Sequence, residues 1–134
     1  MDTNVKAVVH ECTNASVEQR ITFGEVVMTL LEAGIERYHA DLVRGETIYY
    51  LPDGDTEVVQ AHAARVAPPS NEFSAEGVEA AVRAIQAGTI QYRTFCERVL
   101  KAGCVGYIVS MVGRRVVYYG RTGDNHVEWF PSAK

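Results

Sequence analysis

The sequence is poor in cysteine, with only Cys12, Cys96 and Cys104 in 134 residues. Three scattered thiols do not build a disulfide framework, which points to a reducing, cytoplasmic setting. In that setting the sequon Asn14-Ala15-Ser16 carries no glycan. Long apolar runs are missing too: none approaches the roughly 20 residues of a membrane span, and Met1-Asp2-Thr3-Asn4 is not the basic head of a signal peptide. Positive charge is not in excess either. Lys and Arg total 13 against 17 Asp and Glu, a formal charge of −4, so a nucleic-acid partner is not expected. Gly-rich phosphate loops, helical metal-binding His pairs and a nucleophile elbow are absent. What remains is an ordinary globular composition, 47% hydrophobic and 22% charged, at a length that suits one domain.

The chain also matches itself. Displaced by 69 residues (Leu31 onto Leu100), Phe23–Val59 aligns with Tyr92–Glu128 without a gap. Identities include Ala33/Ala102, Gly34/Gly103, Tyr38/Tyr107, Tyr49/Tyr118, Tyr50/Tyr119, Gly54/Gly123 and Asp55/Asp124. An ungapped match that retains glycines and a Tyr-Tyr pair reads as a tandem duplication.

The two copies interpret each other. Thr22-Phe23-Gly24-Glu25 is a capping box, followed by Val26, Val27, Leu30 and Leu31 at helical spacing. Tyr92, Phe95, Cys96, Val99 and Leu100 repeat the stripe, and Gly34 and Gly103 end both helices. An earlier helix precedes each: Val5, Val8, Val9 and Cys12 in one half, Val78, Ala81, Val82 and Ile85 in the other, the latter opened by Ser74 and closed by Gly88. After each capping glycine the period becomes two. Tyr38, Ala40 and Leu42 share one strand face, matched by Tyr107, Val109 and Met111. Arg44-Gly45 and Gly113-Arg114 read as hairpin turns in which glycine supplies positive φ. Return strands follow at Glu46–Leu51 and Arg115–Gly120, then third strands through Val58 and Val127. The expected fold is α+β: two tandem pseudo-symmetric helix–helix–three-stranded-meander halves with antiparallel sheet. Residues 1–134 form a single domain of half-repeats at about 1–66 and 70–131, joined by the Ala67-Pro68-Pro69-Ser70 linker. Halves of this size bury too little surface alone.

The run Gly88-Thr89-Ile90-Gln91-Tyr92, with Ala102-Gly103, Tyr107, Val117-Tyr118-Tyr119-Gly120 and Gly123 through Glu128, resembles the YbcV/YdfO-like family of small bacterial and prophage-associated proteins of unknown function. Some of its members carry the label "phage envelope protein". The resemblance covers most of the chain but rests on turn glycines and strand aromatics, residues that specify a fold rather than a reaction. It implies no catalytic residue.

Three sets of side chains are candidates for chemistry. Strand alternation places Asp124, His126 and Glu128 on one face, a carboxylate–imidazole–carboxylate row suited to a divalent metal. Alternation in the return strands buries Tyr50 and Tyr119 beside Ile48 and Val117, leaving Tyr49 and Tyr118 on the opposite, exposed face as ligand or interface candidates. Arg114 and Arg121 form a basic turn end for a small anion. The cysteines lie on apolar stripes or at a strand start, as small hydrophobes do.

The sequence therefore points to an uncharacterised, non-enzymatic binding or interaction protein of bacterial or prophage origin. It would meet an unknown protein or small ligand at the seam between halves or on the Tyr49/Tyr118 face. Two alternatives stand beside it: a metal-assisted or small-molecule enzyme built on Asp124, His126 and Glu128, and a homo-oligomeric structural protein whose sheet edges pair. No cofactor and no membrane partner is expected.

Overall fold

The computed structural model of the chain describes residues 1–131. Its first half contains α1 (Thr3–Val17), α2 (Phe23–Glu32), β1 (Arg37–Asp41), β2 (Glu46–Tyr50) and β3 (Thr56–Gln60). A 3₁₀ turn at His62–Ala64 leads through the proline segment to α3 (Ala75–Gln86), α4 (Tyr92–Lys101), β4 (Cys104–Ser110), β5 (Arg115–Gly120) and β6 (Asn125–Trp129). The six strands make one antiparallel sheet in the order β3-β2-β1-β4-β5-β6, so the fold is α+β.

Local chemistry sets the ends of the elements. The Thr22 hydroxyl accepts from the Glu25 amide while the Glu25 carboxylate accepts from the Thr22 amide, a complete capping box. Ser74 caps α3 through the Gly77 amide. Left-handed residues then recur at one constant spacing. Gln19 pairs with Gly88, Gly34 with Gly103, Gly45 with Arg114 and Gly54 with Gly123, each 69 positions apart, and these are all the positive-φ residues described. The backbone correspondence thus reaches α1 and α3, where side-chain identity is too low to reveal it. It also corrects one turn: in the second hairpin Arg114 (φ 53°), not Gly113, takes the left-handed position.

The halves join where β1 runs antiparallel to β4, with Tyr38 opposite Val109, His39 opposite Ile108 and Ala40 opposite Tyr107. His39 and Ile108 are themselves 69 residues apart, so the local two-fold relation passes through that pair. The helices cover one face of the sheet, α1 against β3, α4 against β4 and α3 against β6. Val9, Leu30, Val78, Val99, Leu100 and Val109 fill the space between.

The tyrosine pairs lie opposite to the expectation. Tyr49 (2% exposed) and Tyr118 (7%) are in the core, whereas Tyr50 and Tyr119 are half-buried on the uncovered face. Register is the reason. Tyr49 stands directly across from Tyr38, and Tyr118 from Tyr107, and cross-strand partners project to the same side. Since Tyr38 and Tyr107 face the helices, their partners must as well. Both pairs pack at the same ring separation, 5.4 Å, and the Tyr49 hydroxyl is satisfied by Thr13 Oγ1 at 2.7 Å.

Burial raises the buried thiols and phenols of this layer. It pushes the Cys96 thiol up to about 12 and the Cys104 thiol up to about 11, and drives Tyr38, Tyr92 and Tyr107 well above the usual phenol range. Unfolding returns thiols to about 8.5 and phenols to about 10, so above those values the unfolded chain holds fewer protons than the folded one. Stability is therefore fully present below about pH 8 and falls as pH rises toward 11; urea titrations across that range check the slope, and a flat profile contradicts it.

Glycine tolerance should differ between the matched caps. A Cβ at Gly34 meets nothing within 4 Å, whereas at Gly103 it would lie 2.1 Å from the Glu72 carbonyl oxygen. Gly34→Ala is expected to cost about 1 kcal/mol for its left-handed backbone, and Gly103→Ala about 2 kcal/mol more, measured by urea unfolding.

Candidate functional site

Among the described residues, a cluster of titratable side chains and an exposed apolar row stand out. The first lies at the outer edge of the second half, between α3 and β6. His126 and Glu128 alternate on the helix-facing side of β6 and meet Glu79 and Arg83, which stand one turn apart on α3. The His126 Nε2 and Glu128 Oε2 atoms are 2.6 Å apart, and Glu79 Oε2 lies 3.9 Å from the same imidazole nitrogen. Arg83 donates to Glu128 Oε1 at 3.0 Å and to Oε2 at 3.4 Å, and to Gln86 Oε1 at 3.1 Å. Glu128 is only 8% exposed. A cleft of about 360 Å³, lined also by Trp129, Phe130 and Pro131, opens beside the group.

The first half places other residues at the matching positions. His10 on α1 and Glu57 on β3 occupy the places of Glu79 and His126, and they pair at 2.8 Å, the same contact with its partners exchanged. Asn14 stands for Arg83 and Val59 for Glu128. Register confirms the last equivalence, since Val59 lies opposite Thr47 and Glu128 opposite Val116, 69 residues on in each case. A helix-to-edge His–Glu contact is thus common to both halves. A buried carboxylate with its own guanidinium belongs to the second half alone.

Asp124 does not join this group. It sits exposed in the turn before β6, where its carbonyl accepts from the Gly120 amide, and Glu79 from α3 takes the third position instead. No sequence spacing links residue 79 to residue 126, so packing alone reveals the substitution. Arg114 and Arg121 do not share an anion site. The first precedes β5 and the second follows it, which puts them at opposite ends of a six-residue strand.

The second place is the uncovered face of the sheet. There Val58, Ile48, His39, Ile108, Val117 and Val127 stand in register as one row across all six strands. Val58 is 47% exposed, Ile108 and Val127 37% each. Arg37 and Arg115 lie in the next row on one side, stacked at 4.0 Å on Tyr50 and Trp129. Asp41 and Glu46 lie on the other side, in register with Gly106 and Tyr119. At the centre His39 Nε2 is 2.5 Å from the Tyr119 hydroxyl, which burial pushes up to about 12. Tyr119 packs over Gly106, where a Cβ would come within 2.5 Å of its oxygen.

A small cavity under α1, lined by Thr13, Thr47, Tyr38, Tyr49, Tyr92 and Tyr107, holds about 20 Å³. That is room for one water. It exists because Val26 stands where the second half has Phe95, whose ring packs on Tyr107 and Tyr118.

Arg83→Met should leave Glu128 buried with His126 as its remaining partner and destabilise the fold by about 2 kcal/mol, a figure reduced for the half-exposed guanidinium. Glu128→Val, which installs the first half's residue, is expected to be neutral or stabilising. Urea unfolding of both variants decides; equal losses would mean that Arg83 does not hold the carboxylate.

No curated protein matches the sequence. A family profile described as "Protein of unknown function (DUF1398)" matches residues 14–127, from the last turn of α1 into β6. It covers most of both halves, and the chain belongs to this DUF1398 family.

Proposed function

We propose that the protein is a non-enzymatic interaction protein that works through the uncovered face of its sheet, and that this face receives a second copy of the chain. The apolar row from Val58 to Val127 carries the reading. A band of this kind, apolar except for His39 and rimmed by charge, is what interaction surfaces present. The charge pattern favours self-association. A half-turn about an axis along the row exchanges the two flanks, so that Arg37 of one copy lies over Asp41 of the other and the reverse. A half-turn along the strands would set the arginine flank of one copy on that of the other, which selects the first arrangement. The buried thiols, held protonated near neutral pH, offer no nucleophile to an enzymatic reading.

The matched left-handed residues and the shared His–Glu contact support descent of both halves from one duplicated unit that folds as a single domain. The resemblance to YbcV/YdfO-like proteins supports a bacterial or prophage-associated origin, and the sparse cysteines support a cytoplasmic location.

Sedimentation of the untagged protein should show a reversible dimer. Ile108→Asp should abolish it while leaving far-UV circular dichroism unchanged. Arg37→Asp and Asp41→Arg should each weaken it at least about tenfold, and mixing the two variants should restore association. A chain that stays monomeric up to about 1 mM, or a dimer indifferent to all three changes, overturns the proposal.

A further inference from the structure

We infer that Glu79, His126 and Glu128 form a binding site for a divalent first-row transition metal ion, with Zn²⁺ the best match to the donor set. One donor atom from each residue lies within 4.8 Å of the others. A single imidazole nitrogen with two carboxylate oxygens suits Zn²⁺ better than Mg²⁺ or Ca²⁺, which take oxygen alone.

A second observation, independent of the clustering, is the comparison between halves. His10 and Glu57 show that a helix-to-edge contact at this position needs only one imidazole and one carboxylate. The second half adds Glu128 at a core position that Val59 fills in the first, and then needs Arg83 to hold it. A buried ion pair of this kind is generally no more stable than a packed apolar residue. Stability therefore does not account for Glu128, whereas a ligand does.

The orientation of the groups fits that use. Arg83 makes its shorter hydrogen bond to Oε1 of Glu128 and a longer one, 3.4 Å, to Oε2, which also meets His126 at 2.6 Å; the same guanidinium lies 3.9 Å from Glu79 Oε2. Ligating carboxylates are commonly fixed by such an outer donor. A metal ion would take the lone pair of His126 Nε2 with the imidazole as its Nδ1–H tautomer, in place of the hydrogen bond to Glu128. Three protein ligands leave a position open toward the cleft, as in zinc sites that keep an exchangeable water. The inference does not depend on association through the sheet face.

The test is isothermal titration of the untagged protein with ZnCl₂, alongside visible absorption of the Co²⁺-loaded form. One equivalent of Zn²⁺ is expected, with d–d absorption from Co²⁺. Glu79→Gln, an exposed change that leaves the fold intact, and His126→Gln should each weaken binding at least about tenfold. His10→Gln, which breaks the matching contact in the other half, should change nothing. Less than one equivalent at about 100 µM free Zn²⁺, or binding lost in His10→Gln but retained in Glu79→Gln, overturns the inference.

Discussion

Each three-stranded meander would end in a strand with unpaired backbone groups if β1 and β4 did not find one another, and neither half could bury its helices on three strands. Their antiparallel pairing, centred on His39 and Ile108, removes both difficulties at once. It also fixes which side of every strand is inside. Once Tyr38 and Tyr107 turn toward the helices, the ladder carries that choice outward, strand by strand, to Val59 and Glu128 at the edges. The uncovered face receives whatever is left: an apolar row flanked by arginines on one side and carboxylates on the other.

The two halves share an order of elements and a spacing of left-handed residues, and differ in the side chains at matching positions. In the first, a water-sized gap lies among tyrosine hydroxyls beside Val26 and Thr47; at the position of Val26 the second half has Phe95, whose ring packs on Tyr107 and Tyr118. In the first, Val59 completes the core at the outer strand; in the second, Glu128 and Arg83 stand there. The constant spacing of 69 makes such differences readable, because each half can be set against the other position by position. The helix-to-edge His–Glu contact belongs to the scaffold. The buried carboxylate beside the cleft does not.

Most element boundaries were legible because they rest on local chemistry. The capping box at Thr22, the Ser74 cap, the terminating glycines and the alternation through Tyr38 and Tyr107 each act within a few residues of chain. The return strands were harder. Ile48-Tyr49-Tyr50 and Val117-Tyr118-Tyr119 are apolar on both sides, so alternation alone does not choose a face. The outcome was settled by pairing with Tyr38 and Tyr107, and by a hydroxyl partner for Tyr49 on α1. The site was legible in part. His126 and Glu128 share a strand face by simple alternation, but Glu79 and Arg83 reach them only because α3 packs on β6.

The amino-acid sequence by itself determined the helices, most of the turns and the α+β class, since caps, glycines and periodicity operate over short stretches. Tertiary structure decided the rest: the central β1–β4 seam, the burial of Tyr49 and Tyr118, the separation of Arg114 from Arg121 and the replacement of Asp124 by Glu79. Those outcomes depend on register and on contacts between segments tens of residues apart, which no local pattern encodes.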